Sequence, residues 1–562
     1  MLTKLRKLMQ ENNIDAYIIT KFDPHQTEYA DNYYNVTSFI SSFTGSVATV
    51  VITKTEAHLW TDSRYFLQAE KELSEEFTLQ KMGEQGTVDV LDFAAGFGTV
   101  GIDFATYPAE SGKKLARKIK MKQGVLVDID LISLIWKERE FAKREGIFLY
   151  DEKFTGESFE NKLSLVRSQM KTPYYIISSL DDIAWFLNIR SLGEFNTFNF
   201  LAYILIEPEN VILFIDKVDK DIFPEGIQIK PYSEVFNYIK GKETSVAPTR
   251  TNYKIYQTLE KKMVLIHDIT TTLKSKKNAI EIENIKKANI KDAVVHIKFY
   301  KWLKENGAGK TEYEIGKKLY EMRIEAGAKN HSFPPIVGYL ENGAIVHYRA
   351  SDNSSKTVQN KGFLLVDSGA NYIEGTTDIT RTISMGSLSE KEKDHYTLVL
   401  KAHIALDTQK FPQGTSGMAL DVVTRIPLWD ALLNFGHGTG HGIGHFLNVH
   451  EGPCTIAPKG FEPLDIGNVL SNEPGLYITG EYGIRLENAI LVTLAEKNLG
   501  LQFFKFETLT FLPFEREAIN KKLLTEEELN WLNNYHENTY KILEEHLAAE
   551  EKNWLKGATE KI

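Results

Sequence analysis

Cysteine occurs once in these 562 residues, at Cys454, so no disulfide can form within the chain and a reducing compartment is expected. Positive charge does not dominate either. The formal net charge of −10 sets the average field against phosphate backbones and excludes a nucleic-acid surface as the main function. The most basic stretch, Lys274, Lys276 and Lys277 with Lys286 and Lys287 beyond, reads as a solvated helix face. No apolar run approaches the roughly 18 residues that span a bilayer. The opening MLTKLRKLMQENNIDAY is a charged amphipathic helix pattern without an apolar core or a small-residue cleavage site, so a cytoplasmic protein is expected. Two motifs are also missing. HExxH does not occur, which removes the mononuclear zinc-protease reading, and the glycine-rich stretch FGHGTGHGIGH is not followed by Lys-Ser or Lys-Thr, which removes a phosphate cradle there.

What is present is an ordinary globular composition, 42% hydrophobic and 25% charged, in a chain long enough for roughly three to four domains at about 150 residues each. The first half carries an internal repeat. KLRKLMQENNIDAYIIT matches KLSLVRSQMKTPYYIISS as a helix followed by a buried strand, and ATVVITKTEAHLWTD matches AYILIEPENVILFID as a hairpin. Two similar α/β domains are therefore expected, over residues 1–133 and 134–274. A long helix opens the third, since Ile280, Ile282, Ile285 and Ala288 lead into Val294, Ile297 and Trp302 at helical spacing. Helical pattern returns between Lys391 and Leu432. Thr525 with Glu528 three residues on predicts the capped start of a closing helix.

The chemistry concentrates in the last third, in three stretches. In GFLLVDSGANYIEGTTDITRTI an apolar strand is expected to end at Asp367, a Ser-Gly-Ala-Asn turn to follow, and a Thr-rich strand to carry Asp378 beside it. In FGHGTGHGIGHFLNVHEGP four histidines stand among six glycines, and a helix through His437 and His441 is disfavoured because each glycine costs about 1 kcal/mol relative to alanine. A loop or distorted strand is expected there, with glycine allowing a ligand close to the backbone. In VLSNEPGLYITGEYGIRLENAILV, Glu473 precedes a Pro-Gly turn and Glu487 lies on an alternating strand whose face Arg485 shares. Taken singly, Asp367 reads as well as a turn cap, and each glutamate reads as a solvated carboxylate. Taken together, four carboxylates and one imidazole form an oxygen-rich set that suits two hard divalent cations better than one tetrahedral zinc. Four carboxylates in one pocket repel and cannot all stay ionised. Two dications cancel them, and a shared hydroxide then leaves the site near −1.

VDSGANYIEGTTDITRT, GHGTGHGIGHFLNVHEGP, SNEPGLY and the late WLNNYH resemble the aminopeptidase P branch of the pita-bread metallopeptidases, the long three-domain Xaa-Pro aminopeptidases. The resemblance covers nearly the whole chain. It implies an α+β and α/β multidomain architecture: two creatinase-like N-terminal domains, a pita-bread catalytic domain over 275–505, and a C-terminal extension over 506–562 packed on it. It implies Asp367, Asp378, His441, Glu473 and Glu487 as ligands of two metal ions, most often manganese, with Asp378 and Glu487 touching both. His347, His437 and His450 match substrate-contacting and transition-state-stabilising positions, and Glu473 is the expected general base. Arg64, in LWTDSRYFLQAE, matches a substrate-binding arginine, although read bare it is a surface charge. Its counterpart FIDKV in the second repeat lacks one, so the two N-terminal domains are not expected to be equivalent. His445 stands where relatives carry an uncharged residue, and no role follows for it. The implied activity is removal of the first residue from peptides with proline second, by attack of a hydroxide bridging the metals; the implied assembly is a homodimer. A prolidase would share the five ligands but act on dipeptides and lack the duplicated first half. A creatinase-like amidinohydrolase lacks the complete ligand set. A ligand-less peptide-binding relative is the reading from a different class, and here every ligand position is filled.

Overall fold

The computed structural model describes residues 1–141, 144–193, 200–216, 222–352 and 354–562. Lys217 and Val218 of FIDKV lie outside the described residues. Two compact units emerge, one of Met1–Glu152 with Glu157–Lys274, the other of Lys153–Gly156 with Ser275–Ile562.

The first unit contains the sequence repeat as two six-stranded sheets of one topology. In the first, the order runs Thr78–Lys81, Ala57–Thr61, Thr49–Thr53, Ala16–Thr20, Thr99–Ile102, Val125–Asp128. In the second it runs Ile227–Lys230, Val211–Phe214, Tyr203–Ile206, Tyr174–Ile177, Glu243–Val246, Lys261–Val264. Each antiparallel or parallel pairing in one sheet recurs at the same place in the other. The helix Leu2–Glu11 packs Leu2, Leu5 and Met9 onto the first sheet, and Phe159–Gln169 is its counterpart.

The second unit opens on the helix Ala279–Asn306, whose start is fixed by a capping box between Asn278 and Glu281. Capping boxes also start Glu312–Glu325, Glu390–Asp407 and, as the sequence predicts, Glu526–Leu543 at Thr525. Two sheets carry the site. In one, Phe363–Tyr372 pairs with Asn330–Tyr339, Gly375–Thr376 and Ile379–Ser384. Every residue of Phe363–Tyr372 is buried, because helical Val295, Phe299 and Leu303 cover one face and the site occupies the other. The second sheet orders Lys410–Pro412, Leu501–Thr508, Asn488–Asn498, Val469–Asn472, Gly440–Gly442 and Glu451–Ile456. It is backed by Leu406 and Leu420 from Glu390–Asp407 and Gly417–Trp429. Helices thus lie outside two sheets, the pita-bread arrangement that the motifs imply.

Two local expectations are corrected. Ser368, Gly369, Ala370 and Asn371 are not a turn but the continuation of the strand, and the chain reverses after Tyr372. Pairing with Asn330–Tyr339 holds the segment extended, and Gly369 is needed because a Cβ there would lie 2.1 Å from both Ser332 Oγ and the Thr377 carbonyl. Likewise Pro474-Gly475 makes no turn: Gly475 begins the strand Gly475–Ile478, paired with Tyr482–Arg485.

Candidate metal centre

Strands and the breaks beside them deliver all five acid and imidazole candidates to one region of the second unit. Asp367 sits inside its strand opposite Thr380, and Asp378 occupies the break just before Ile379–Ser384. His441 is the middle residue of Gly440–Gly442. Its glycine neighbours are required by packing: a Cβ on Gly440 would meet the Ser471 carbonyl at 1.9 Å, and one on Gly442 the Glu451 carbonyl at 2.1 Å. The close approach is therefore to neighbouring strands, not to a ligand as the sequence suggested. Glu473 follows Val469–Asn472, and Glu487 follows Tyr482–Arg485.

One ligand atom each from Asp378, His441 and Glu487 lie within 4.8 Å of one another. His441 Nε2 stands 3.4 Å from Asp378 Oδ2 and 3.4 Å from Glu473 Oε1, which ties the fourth residue in. Its Nδ1 donates to the Gly442 carbonyl at 2.9 Å, so the tautomer is set with Nε2 facing the carboxylates. Asp367 joins through field and neighbourhood, since burial and then the charge of Asp378 raise its pKa against the pull of Arg485, whose Nη2 donates to its Oδ2.

The residues fit a pair of cations on the electrostatics of the chain itself. Asp367 Oδ1 is buried and has no hydrogen-bond partner among the described residues, an acceptor left open while Arg485 holds the other oxygen. Burial, then the charge of Asp378, pushes Glu487 well above the usual carboxylate range. Burial also raises Glu473 to about 7, with His441 opposing and Asp378 reinforcing the shift. Burial works against a charged imidazole at His441, but its bond to Asp378 and the field of Glu473 prevail and lift it to about 9. Without metal the cluster holds protons in place of cations.

Three supporting side chains went unassigned in the sequence reading. Thr380 Oγ1 donates to Glu487 Oε2 at 2.7 Å. Ser471 Oγ accepts from the His441 amide at 3.0 Å and donates to Glu473 Oε1 at 3.1 Å. Arg485, 1% exposed, grips Asp367 and donates through Nη1 to Tyr477 Oη at 2.7 Å. Each lies two residues from one of the carboxylates, which stand just outside the strands, Glu487 included although an alternating strand is expected there, and that two-residue spacing is the signal that could have found them.

The other histidines differ in setting. His437 donates from Nδ1 to the Gly438 carbonyl at 2.7 Å, and its Nε2 accepts from Tyr477 Oη at 2.8 Å. Its loop is anchored by Arg425, which donates to the carbonyls of Phe435 at 2.7 Å and His437 at 2.6 Å. His450 packs edge-on against His441, ring centroids 4.2 Å apart. His347 is half-buried after the short helix Leu340–Ala344. That helix is docked by a backbone contact in which a Cβ on Gly483 would fall 1.8 Å from the Gly343 carbonyl. His445 is turned elsewhere, with Nε2 donating to the Glu374 carbonyl at 3.0 Å. Arg64 belongs to the first unit, where Asp62 binds it in a fork at 2.9 and 2.7 Å.

Known proteins share this layout. The model of metallopeptidase family M24 matches residues 283–494, that of the C-terminal region of peptidase M24 matches 502–562, and two creatinase/prolidase N-terminal domain models match 1–140 and 138–281. The chain is 38% identical to Xaa-Pro aminopeptidase 1 of Dictyostelium discoideum, over 99% of this chain and 95% of that one. It is 35% identical to aminopeptidase P2 of Arabidopsis thaliana, over 95% of this chain and 84% of that one. Its structure superposes on the X-prolyl aminopeptidase of Caenorhabditis elegans, described as a cytosolic enzyme with a di-nuclear active site, with a TM-score of 0.94 at 32% identity, covering 100% of this chain and 99% of that one.

Proposed function

The chain belongs to metallopeptidase family M24 as one of its Xaa-Pro aminopeptidases, and from that premise we propose how its own residues carry the reaction. It is a metal-dependent hydrolase that removes the N-terminal residue from peptides with proline in second position, with two divalent metal ions in its active centre. Asp367, Asp378, His441, Glu473 and Glu487 hold those ions, and manganese is the metal, a choice supported by four carboxylates to one imidazole. Bound there, the two cations would make a water acidic near neutrality and polarise the scissile carbonyl. The observation that carries the reading is the meeting of Asp378, His441 and Glu487 ligand atoms within 4.8 Å.

The bond before proline is a tertiary amide without an N–H, so the enzyme must orient it from the carbonyl side and from the free amine. Glu473, whose Oε1 is held by Ser471, accepts the proton of the attacking water and passes it to the leaving proline nitrogen. Both ring nitrogens of His437 are engaged, with Gly438 and Tyr477, which suits a fixed wall for the substrate. Donation to the developing oxyanion is assigned to His437 or His347, on the resemblance of their motifs. His450, edge-on to His441, contacts the substrate from the same side as that ligand. The substrate amine docks on a ligand carboxylate, which limits cleavage to one residue. Arg64 is carried as a substrate-binding residue on the resemblance of LWTDSRYFLQAE alone.

Two further parts of the reading concern the protein's surroundings. A homodimer is supported by the helix Gly417–Trp429, which exposes Met418, Val422, Ile426 and Trp429 at helical spacing, with Leu432 beyond its end. A cytoplasmic location is supported by the single buried cysteine, and among the described residues no helix is long and apolar enough to cross a membrane. The test is hydrolysis of an Xaa-Pro tripeptide beside an Xaa-Pro dipeptide, before and after chelation and manganese reconstitution. Turnover of the tripeptide that disappears with the metal is expected. Cleavage of the dipeptide alone would make the enzyme a prolidase, and no cleavage by the reconstituted protein would overturn the account.

A further inference from the structure

A cavity of about 470 Å³ opens on the far face of the strand Ile379–Ser384, walled by the helix Ala279–Asn306, the segment around Phe514 and the last helix, Ala549–Ala558. None of the metal-centre residues lines it. Its volume is that of a small-molecule site. Its chemistry is mixed: Trp554, Phe514 and Ile383 supply apolar walls, while Lys304 and Arg516 bring positive charge and Glu515 and Glu517 negative charge.

Two groups in this wall are donors without acceptors. Tyr300 is only 4% exposed, and its hydroxyl is buried with no hydrogen-bond partner among the described residues. Arg516 Nε is buried and has no hydrogen-bond partner among the described residues, although Nη1 donates to the Gly557 carbonyl and reaches the Glu560 carboxylate at 3.4 Å and Nη2 donates to the Lys561 carbonyl. Buried polar atoms are left bare in few places, and each asks for a partner. An orphan hydroxyl and an orphan guanidinium N–H in one cavity ask for a carboxylate. On the acid side, Glu515 is already paired with Lys304 at 2.8 Å, whereas the exposed Glu517 accepts, among the described residues, a long 3.3 Å bond from Ser384 Oγ. Its remaining capacity suits an ammonium group.

We propose that this cavity binds a small zwitterion with an apolar side chain, a free α-amino acid, with its carboxylate on Tyr300 and Arg516, its ammonium on Glu517 and its side chain against Trp554. The back wall connects to the metal centre. Arg381, which lines the cavity, donates to the Glu487 carbonyl and to the Thr380 carbonyl, and Thr380 holds the Glu487 carboxylate. Occupancy therefore changes turnover without competing for the peptide site. This last step rests on the aminopeptidase reading; the binding itself does not.

The test uses the metal-loaded full chain and L-leucine as probe. Calorimetry should detect leucine binding, while N-acetyl-leucine, lacking the ammonium, and leucinamide, lacking the carboxylate, should bind at least tenfold more weakly. Tyr300→Phe, which removes one oxygen and keeps the packing, should weaken binding about threefold to tenfold, and Arg516→Ala by tenfold or more. Both variants should hydrolyse an Xaa-Pro tripeptide like the wild type when leucine is absent. With leucine present, the wild type should show altered kcat at unchanged KM, and Arg516→Ala should not. Leucine binding that both variants leave intact, or inhibition that is purely competitive with peptide, overturns the proposal. Absence of turnover in the leucine-free wild type would instead sink the aminopeptidase reading and leave the calorimetric result to stand or fall by itself.

Discussion

Replacing Arg485 by methionine tests the electrostatic logic of the metal centre at a supporting cation. The guanidinium is 1% exposed, and it donates to Asp367 and to Tyr477 at 2.7 Å. Methionine keeps much of the volume and removes the charge. Breaking a buried ion pair by deleting one partner typically costs about 3–5 kcal/mol, because the other charge is left without compensation. Here the orphan would be Asp367, already raised by burial and by Asp378, so the upper part of that range applies to the metal-free protein. Divalent cations offer Asp367 a new partner, and the deficit should shrink when metal is added. Urea unfolding, read on the transition that responds to manganese, is the assay. At a slope of about 3 kcal/mol per molar, the metal-free midpoint should fall by roughly 1.3–1.7 M relative to wild type, and by less than half of that with manganese. Activity should drop at least tenfold in kcat, since Tyr477 and through it His437 lose an anchor. Equal midpoints for the two metal-free proteins would refute the reasoning.

His441→Ala should lose both metal and turnover, whereas His437→Ala should lose turnover and keep metal; elemental analysis beside a peptide assay separates the two, and metal loss from His437→Ala would make that residue a ligand. Gly440→Ala drives a Cβ to 1.9 Å from the Ser471 carbonyl, so the strand carrying His441 must shift, with about 1–3 kcal/mol lost and metal affinity lowered. Acid should unfold the protein early. His296, His403 and His536 are fully buried, and burial depresses each to about 3. With folded values below an unfolded value near 6.5, the unfolded state takes these protons first. Stability is then intact above about 6.5 and falls as pH drops toward 3, by up to about 1.4 kcal/mol per unit for each histidine. A flat stability between pH 6.5 and 4.5 would contradict that assignment.

Much of this was legible in the residues. The repeat predicted paired domains because a helix-strand-hairpin succession repeats with its burial pattern, and the two sheets share one topology down to each pairing. Glu528 after Thr525 announced a capped helix, and the same four-residue logic at Thr311 and Ser389 was equally available. What the chain did not announce was where backbones touch. Ser-Gly-Ala-Asn has the composition of a turn, but pairing with Asn330–Tyr339 and the crowding at Gly369 hold it as strand. The glycines flanking His441 looked like ligand space and are instead contacts between strands. In the site, the acids and His441 stood out by type and density, whereas Thr380, Ser471 and Tyr477 are common residues whose roles arise only when distant strands meet.

The most direct measurement is metal stoichiometry against activity. The protein is stripped with a chelator, titrated with manganese, and assayed at each step for release of the first residue from an Xaa-Pro tripeptide. The account predicts that turnover appears with added metal and saturates at about two equivalents per chain, and that Asp378→Asn binds less and turns over nothing. Full turnover by chain that elemental analysis finds free of metal would contradict it.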